Sequence, residues 1–167
     1  MLTVLTILPA SANDYAAKDI KIDEKGIYVL TESSNLKYVT DVLDTEADVL
    51  YTGVREFSIY NDGDQRTTIL FNNGNIEITG KNIKETIKTN AIKLVEFRPD
   101  NGEYAFIDTK GTLHLRKLNS SIDLALLENA KECYVNGQNM LVLTKDNTLY
   151  RIDDTNQWKL ETKYIKL

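Results

Sequence analysis

The sequence is poor in the residues that usually build reactive centres. Among its 167 residues, Cys133 is the one cysteine and His114 the one histidine. A single cysteine excludes an intrachain disulfide and a cysteine-rich metal site, and its alignment with the apolar Ile20 of an earlier segment favours a core role. His114 lies between two leucines, so strand alternation predicts that its side chain faces solvent. One such histidine supports neither a catalytic relay nor a zinc site.

An excess of positive charge and a long apolar run are also missing. The 20 basic and 25 acidic residues give a net charge of −5, which disfavours nucleic-acid binding because phosphate affinity depends on a positive field. The densest basic group, Lys81, Lys84 and Lys88, also contains Glu85 and is typical of a solvated face. No segment has the 18 or more apolar residues that a membrane-spanning helix needs.

The N-terminus has some features of a secretion signal. Residues Met1–Ala12 are largely apolar and end in Leu-Pro-Ala-Ser-Ala, a pattern found before signal-peptidase cleavage sites, although the basic segment that normally precedes it is missing. We expect 1–12 to be a truncated signal peptide, 13–167 to form a single domain, and the protein to be secreted or bound to the cell envelope. The alternative is an N-terminal strand in a cytoplasmic protein.

The most prominent positive feature is a short segment that recurs four times without gaps. Its copies are 28–36, 68–76, 105–113 and 141–149. Their third positions are Leu30, Leu70, Ile107 and Leu143, separated by 40, 37 and 36 residues. Four residues further on stand Ser34, Gly74, Gly111 and Asn147, a position where Gly and Asn allow the positive φ of a tight turn. Alternating aliphatic residues follow, so each copy predicts a β-hairpin.

Each copy of the repeat extends beyond its hairpin. A further strand is predicted upstream, at 17–23, 54–59, 92–97 and 130–136. The polar stretches 42–52, 82–90 and 119–129 contain regularly placed apolar residues and could each hold an outer strand or a short helical turn. Asn90-Ala91 and Asn129-Ala130 recur just before a new unit, which indicates that these linkers belong to the repeat.

Three- to four-stranded antiparallel units that recur about every 37 residues indicate an all-β, propeller-like array. The segments 54–80 and 92–115, with weaker copies at 20–39 and 130–152, resemble the repeat of the regulator-of-chromosome-condensation type. The resemblance implies a ring of about seven blades. Four units instead predict a closed small ring, an open arc that a partner copy completes as a homodimer, or a fragment of a longer array.

The two middle units carry extra residues before their hairpins, and we expect these to be loop insertions. Because equivalent loops of neighbouring blades emerge on the same side, 60–66 and 98–103 should lie next to each other. Tyr and Arg are the types enriched in binding hot spots. The candidate binding residues are Tyr60, Asp62, Asp64, Arg66, Arg98, Asp100 and Tyr104.

No recurring arrangement in the sequence identifies a reaction. Asn61-Asp62-Gly63-Asp64 lacks the spaced acidic ligands and the terminal Glu of an EF-type calcium loop, so a turn is the better interpretation. We therefore predict no metal, no cofactor and no catalytic residues. The favoured function is an exported, non-catalytic module that binds a protein or a cell-surface macromolecule. The alternatives are a glycan hydrolase with a site at the end of a central channel, and a structural part of a larger repeat array.

Overall fold

The computed structural model describes residues 16–40, 47–62, 64–96, 102–121, 123–136, 139–153 and 159–161. Every regular element in these ranges is a β-strand, which confirms the all-β prediction. No helical segment in the described part of the chain has the length and hydrophobicity to span a bilayer. The chain divides into two compact units, Met1–Val54 and Arg55–Leu167.

The described strands form four antiparallel sheets of four strands each, and in every sheet the strands are neighbours in chain order. Sheet 1 contains β1 (Ala17–Ile22), β2 (Ile27–Thr31), β3 (Asn35–Val39) and β4 (Asp48–Thr52). Sheet 2 contains β5 (Val54–Asp62), β6 (Asp64–Phe71), β7 (Ile76–Gly80) and β8 (Ile83–Ile87). Sheet 3 contains β9 (Ala91–Glu96), β10 (Glu103–Asp108), β11 (Leu113–Lys117) and β12 (Asp123–Leu127). Sheet 4 contains β13 (Ala130–Asn136), β14 (Asn139–Thr144), β15 (Leu149–Asp153) and β16 (Lys159–Glu161).

The recurring segment is the hairpin between the second and third strands of each sheet. Its turn residue has positive φ in all four copies: 65° at Ser34, 85° at Gly74, 87° at Gly111 and 62° at Asn147. In three of the hairpins a side-chain oxygen accepts the backbone N–H of the residue four positions later. The Thr31 hydroxyl accepts from Asn35, the Asp108 carboxylate from Thr112, and the Thr144 hydroxyl from Thr148. The repeat therefore encodes one turn geometry with interchangeable side-chain acceptors.

The linkers between hairpins are strands rather than helical turns. β4, β8 and β12 pair antiparallel with the strand that precedes each of them. Two of the linkers also tie the repeat together through their final Asn, because Thr109 donates its N–H to the Asn90 carbonyl and Lys145 donates to the Asn129 carbonyl. The predicted outer element is thus present as a fourth strand.

Sheet 3 is apolar on both faces because successive residues of a strand point to opposite sides. Along β10, Tyr104 and Phe106 pack with Leu70, Ile76, Ile78 and Ile87 of sheet 2. The alternate residues Ala105 and Ile107 pack with Cys133, Met140, Val142 and Ile152 of sheet 4. We call the face that carries Phe106 the leading face of sheet 3, the face that carries Ile107 its trailing face, and use the same terms for aligned positions in the other sheets.

The turns also join neighbouring sheets within the Arg55–Leu167 unit. Ala91, the first residue of sheet 3, donates its N–H to the Gly74 carbonyl of sheet 2 at 3.2 Å, and Ala130 of sheet 4 donates to the Gly111 carbonyl of sheet 3 at 2.7 Å. A Cβ on Gly74 would lie 3.0 Å from Asn90 Cα. Glycine at this turn therefore allows both the positive φ and the close approach of the next sheet, because it has no Cβ.

Candidate functional site

The first of the two predicted loop insertions is part of a strand pair. β5 continues to Asp62 and β6 begins at Asp64, so these are the longest strands of the described chain. Arg66 pairs with Gly80 of β7, which keeps it within the ladder. The described residues of the expected loop, 60–62 and 64–66, therefore lie in strands. A sequence insertion has the same length whether it bulges out as a loop or lengthens two paired strands equally, so spacing alone did not separate the two.

An open cleft lies between sheets 2 and 3. Together with the solvent space at its mouth it spans about 340 Å³, and it brings together Tyr60 and Arg66 from sheet 2 with Tyr104 from sheet 3. The other lining residues are Ser58, Thr68, Ile78, Leu94, Val95, Gly102, Glu103 and Leu118. Three of the candidate binding residues thus line one cleft, although the sequence placed them on loops.

The other four candidate binding residues are Asp62, Asp64, Arg98 and Asp100. Asp62 ends β5 and Asp64 begins β6, next to the cleft residues on the same two strands. Arg98 and Asp100 lie outside the described residues, as does the N-terminal segment 1–12. Half of the lining residues that the sequence did not single out are apolar, namely Ile78, Leu94, Val95 and Leu118. Ile78 and Leu94 belong to the alternating pattern that predicted strands. That pattern marked them as core, and only the gap between two sheets makes them part of a cleft.

Arg66 and Tyr60 form an aromatic and cationic pair within the cleft. The Arg66 guanidinium carbon lies 5.9 Å from the centre of the Tyr60 ring, and both residues are half-buried. A cation placed over an aromatic face is worth roughly 0.5–1 kcal/mol at partly exposed sites. This contact restricts two long side chains, so less conformational entropy is lost when a partner covers them.

Tyr104 contributes a buried phenol to the cleft wall. The residue is 4% exposed, and within the described part of the chain its hydroxyl has no hydrogen-bond partner. Burial raises the pKa of Tyr104 well above its usual value, and the nearby Arg116 opposes this shift without cancelling it. The phenol is therefore neutral at physiological pH. A buried hydroxyl without a partner is uncommon in folded proteins.

An ion pair next to the cleft connects the outer parts of sheets 2 and 3. Arg116 Nη2 of β11 lies 3.6 Å from Glu85 Oε1 of β8, and both side chains are 19% exposed. The other oxygen of Glu85 accepts the Asn119 N–H at 3.1 Å. One carboxylate is thus bound by two groups of the neighbouring sheet. These contacts fix the spacing of the two sheets that form the cleft.

The side chain of His114 does not face solvent as the sequence predicted. Its ring stacks on Phe106 with centroids 4.8 Å apart, Nδ1 lies 3.0 Å from Asp123 Oδ1, and Nε2 lies 3.4 Å from Asp108 Oδ2. Alternation placed His114 correctly opposite its leucine neighbours, but that face of sheet 3 is covered by sheet 2. The expectation failed because alternation gives the side of a sheet and not what packs on it.

Asp108 is held by its own hairpin as well as by His114. Burial of Asp108 would raise its pKa, but the backbone N–H of Thr112, the His114 ring and the backbone N–H of Lys110 together hold the pKa below its ordinary value. Its carboxylate is therefore ionised at neutral pH and accepts the backbone N–H groups that close the turn. The contacts of Asp108 and His114 account for both residues structurally.

Cys133 has the core role that its alignment predicted. It is buried in the cluster between sheets 3 and 4, and burial raises the pKa of its thiol to about 12. Such a thiol is a poor nucleophile because little thiolate is present. Among the described residues, no group of three or more His, Cys, Asp or Glu side chains is arranged to hold a metal ion.

Comparison with known proteins supports the architecture. No family model matches the chain, and no curated protein matches it. A solved structure described as BBS1N in complex with ARL6DN matches with a TM-score of 0.59 and 15% identity, over 85% of this chain and 51% of that chain. The chain has a β-propeller-like fold. It spans about half the length of the solved chain.

A second solved structure shows a weaker likeness. It is PorZ, described as a bacterial surface component of the type-IX secretion system of Porphyromonas gingivalis. It matches with a TM-score of 0.48 and 14% identity, over 87% of this chain and 28% of that chain.

Proposed function

We propose that this chain is a non-catalytic binding module that recognises another protein through the cleft between sheets 2 and 3. The observation that carries the proposal is the meeting of Tyr60, Arg66 and Tyr104 in that cleft. Tyr and Arg dominate the energetics of protein interfaces because they combine large contact areas with directed polar groups. Ile78, Leu94 and Leu118 supply an apolar wall against which a partner side chain can be desolvated.

The cleft residues lie on a rigid frame, which supports binding through a pre-formed surface of this protein. β5 and β6 carry Tyr60 and Arg66 on paired strands, and the Glu85–Arg116 ion pair holds the opposing sheet. Side chains on paired strands lose less entropy on binding than side chains on loops. The solved structure with the similar fold is described as a complex with ARL6DN, which supports a binding role here.

The class of partner and the location of the module are further parts of the proposal. The net charge of −5 supports a protein or cell-surface macromolecule over a nucleic acid. The apolar segment Met1–Ala12 supports export, with 13–167 as the mature domain. The resemblance of the repeats to the regulator-of-chromosome-condensation type belongs to the proposal as well. Cell fractionation and N-terminal sequencing of the mature chain test export, and an intact N-terminus in the cytoplasm would contradict it.

Affinity capture with cleft variants tests the binding function. Partners captured by the tagged protein and identified by mass spectrometry are titrated by calorimetry against the wild type, Tyr60→Ala and Arg66→Ala. We expect each change to weaken binding at least about tenfold, which corresponds to about 1.4 kcal/mol. Lys84→Ala, a change at an exposed cation of β8, is the matched control and should leave the affinity unchanged. Equal affinities for all four proteins would exclude the cleft.

A further inference from the structure

Three buried polar atoms at one end of sheet 3 have no hydrogen-bond partner. They are Glu103 Oε2, Tyr104 Oη and Arg116 Nε, and among the described side chains no other buried nitrogen or oxygen lacks one. Glu103 and Tyr104 are consecutive in β10 and line the cleft, and Arg116 of β11 pairs directly with Tyr104. Buried polar groups in folded proteins are nearly always hydrogen-bonded. Three exceptions at one place therefore indicate a group that binds there.

The nearest carboxylate does not satisfy the two donors of this set. Glu85 Oε1 lies 3.6 Å from Arg116 Nη2, and Glu85 Oε2 accepts the Asn119 N–H. Burial raises the pKa of Tyr104 and Arg116 opposes the shift, so the two side chains are close together. They nevertheless form no hydrogen bond with each other. The Tyr104 hydroxyl and the Arg116 Nε–H thus lack an acceptor.

Sheet 4 has apolar residues at the same two positions of the repeat. Tyr104 and Arg116 align with Met140 and Ile152, which also pair directly across their strands. Met140 and Ile152 are 0% and 1% exposed and belong to the core cluster between sheets 3 and 4. An apolar pair is therefore compatible with this fold. The fold does not require a polar pair with two unsatisfied donors, so a role in binding is the better explanation for it.

The charges around the pair favour a neutral ligand. Among the described residues that line the cleft, two are charged, Arg66 and Glu103, and their charges cancel. The charge of Arg116 is matched by Glu85. An ionised ligand would lose its hydration and find no excess of the opposite charge. A carboxamide carries no charge, and it has a carbonyl acceptor for the two donors and N–H groups of the kind that Glu103 Oε2 lacks.

We propose that the Tyr104–Arg116 pair binds the side-chain carboxamide of an asparagine or glutamine in a partner protein. This inference rests on the proposed binding function of the cleft. The amide oxygen accepts from the Tyr104 hydroxyl and the Arg116 Nε–H, and the methylene groups of the ligand lie against Ile78 and Leu118. Both donors are buried, so the Arg116 side chain, which is 19% exposed, rotates to admit the amide. Because water does not satisfy these donors in the free protein, the new hydrogen bonds replace none to water.

Selection from a random peptide library displayed on phage tests the proposal. The library is selected on the immobilised wild type, and the enriched peptides are titrated against the wild type and the double variant Tyr104→Phe/Arg116→Lys. Tyr104→Phe removes only the hydroxyl, and Arg116→Lys keeps the positive charge next to Glu85 but has no N–H within the side chain. We expect the enriched peptides to share an asparagine or glutamine and to bind the double variant at least about tenfold more weakly.

Changing the shared amide of the peptide completes the test. Its replacement by the corresponding acid should weaken binding to the wild type by a similar factor. The same replacement should have little effect on binding to the double variant, because the interaction is already lost there.

Thermal unfolding separates a binding role from a structural one. Tyr104→Phe should unfold at the same temperature as the wild type or at a higher one, because it removes a buried hydroxyl that has no partner. Tyr38→Phe is the matched control. The Tyr38 hydroxyl donates to the Lys25 carbonyl at 2.6 Å, so this change should lower the unfolding temperature and leave peptide binding unchanged. A lower unfolding temperature for Tyr104→Phe would overturn the proposal, since its hydroxyl would then stabilise the fold.

The peptide selection has further outcomes that contradict the proposal. Enriched peptides that share an aspartate or glutamate, or that share no residue type, would overturn it, as would a selection that enriches no peptide. Equal binding to the wild type and the double variant, with weaker binding to Tyr60→Ala and Arg66→Ala, would exclude the pair and retain the cleft. Equal binding to all of these proteins would exclude the cleft as well, and with it the proposed function.

Discussion

Sheets 3 and 4 carry nearly the same sequence pattern and have different surroundings. The buried Ala105 and Ile107 of sheet 3 align with Leu141 and Leu143 of sheet 4, which are partly exposed. The local hairpins are alike, with Gly111 and Asn147 at equivalent turns of positive φ. The comparison shows that the repeat specifies the sheet itself, whereas the burial of each face depends on the presence of a neighbouring sheet.

The largest expected effect comes from truncating the aligned core position in each sheet. Ile107→Ala should lower the free energy of unfolding by about 2–5 kcal/mol, because it leaves a cavity between sheets 3 and 4. Leu143→Ala should lower it by about 1 kcal/mol, because less of its side chain is removed from water. Urea denaturation followed by circular dichroism measures both. Equal losses would show that the trailing face of sheet 4 is buried as deeply as that of sheet 3.

A smaller effect is expected at the turns. Gly74→Ala should destabilise the protein by about 1–3 kcal/mol, because alanine is strained at positive φ and its Cβ would approach the Asn90 backbone of sheet 3. Asn147→Gly, at the equivalent but exposed turn of sheet 4, should change stability by no more than about 0.5 kcal/mol. Thermal unfolding measures both changes. If Gly74→Ala left the thermal stability unchanged, the turn would not fix the spacing of sheets 2 and 3.

A modest stability effect is expected from the acid that closes the hairpin of sheet 3. Asp108→Asn should lower stability by about 1 kcal/mol at neutral pH, because an amide oxygen still accepts the two backbone N–H groups but the charge beside His114 is lost. The folded pKa of Asp108 lies below the ordinary 3.8. Its contribution is therefore present above that pH and is lost as the pH falls through the folded pKa.

The difference in stability between the wild type and Asp108→Asn should accordingly shrink in acid, and unfolding measured from neutral pH down to about pH 3 tests this. Asp146→Asn is the comparison in the hairpin of sheet 4, where the exposed carboxylate of Asp146 accepts hydrogen bonds from the hydroxyls of Thr144 and Thr148, which lower its pKa. It should have a smaller effect. A difference that stays constant with pH would remove the charge of Asp108 from the explanation.

The sequence by itself determined the hairpins, the four units and the strands around them. These features depend on contacts between residues close in the chain, such as the turn at Gly74 and the closure of a turn by the side chain of Asp108, and local patterns report local contacts. The expectation that Tyr60, Arg66 and Tyr104 lie near one another had a different source, the repeat that relates the two sheets that carry them, and the three residues line one cleft.

Only the tertiary structure decided which faces are covered. It placed His114 against Phe106 and between two carboxylates, put residues 60–62 and 64–66 of the expected loop in strands, and left Leu141 exposed where Ala105 is buried. An apolar residue in a strand has the same preference for burial in every copy of the repeat. Whether that preference is met depends on a second surface, and the position of a second surface is a property of packing that alternation along one strand does not contain.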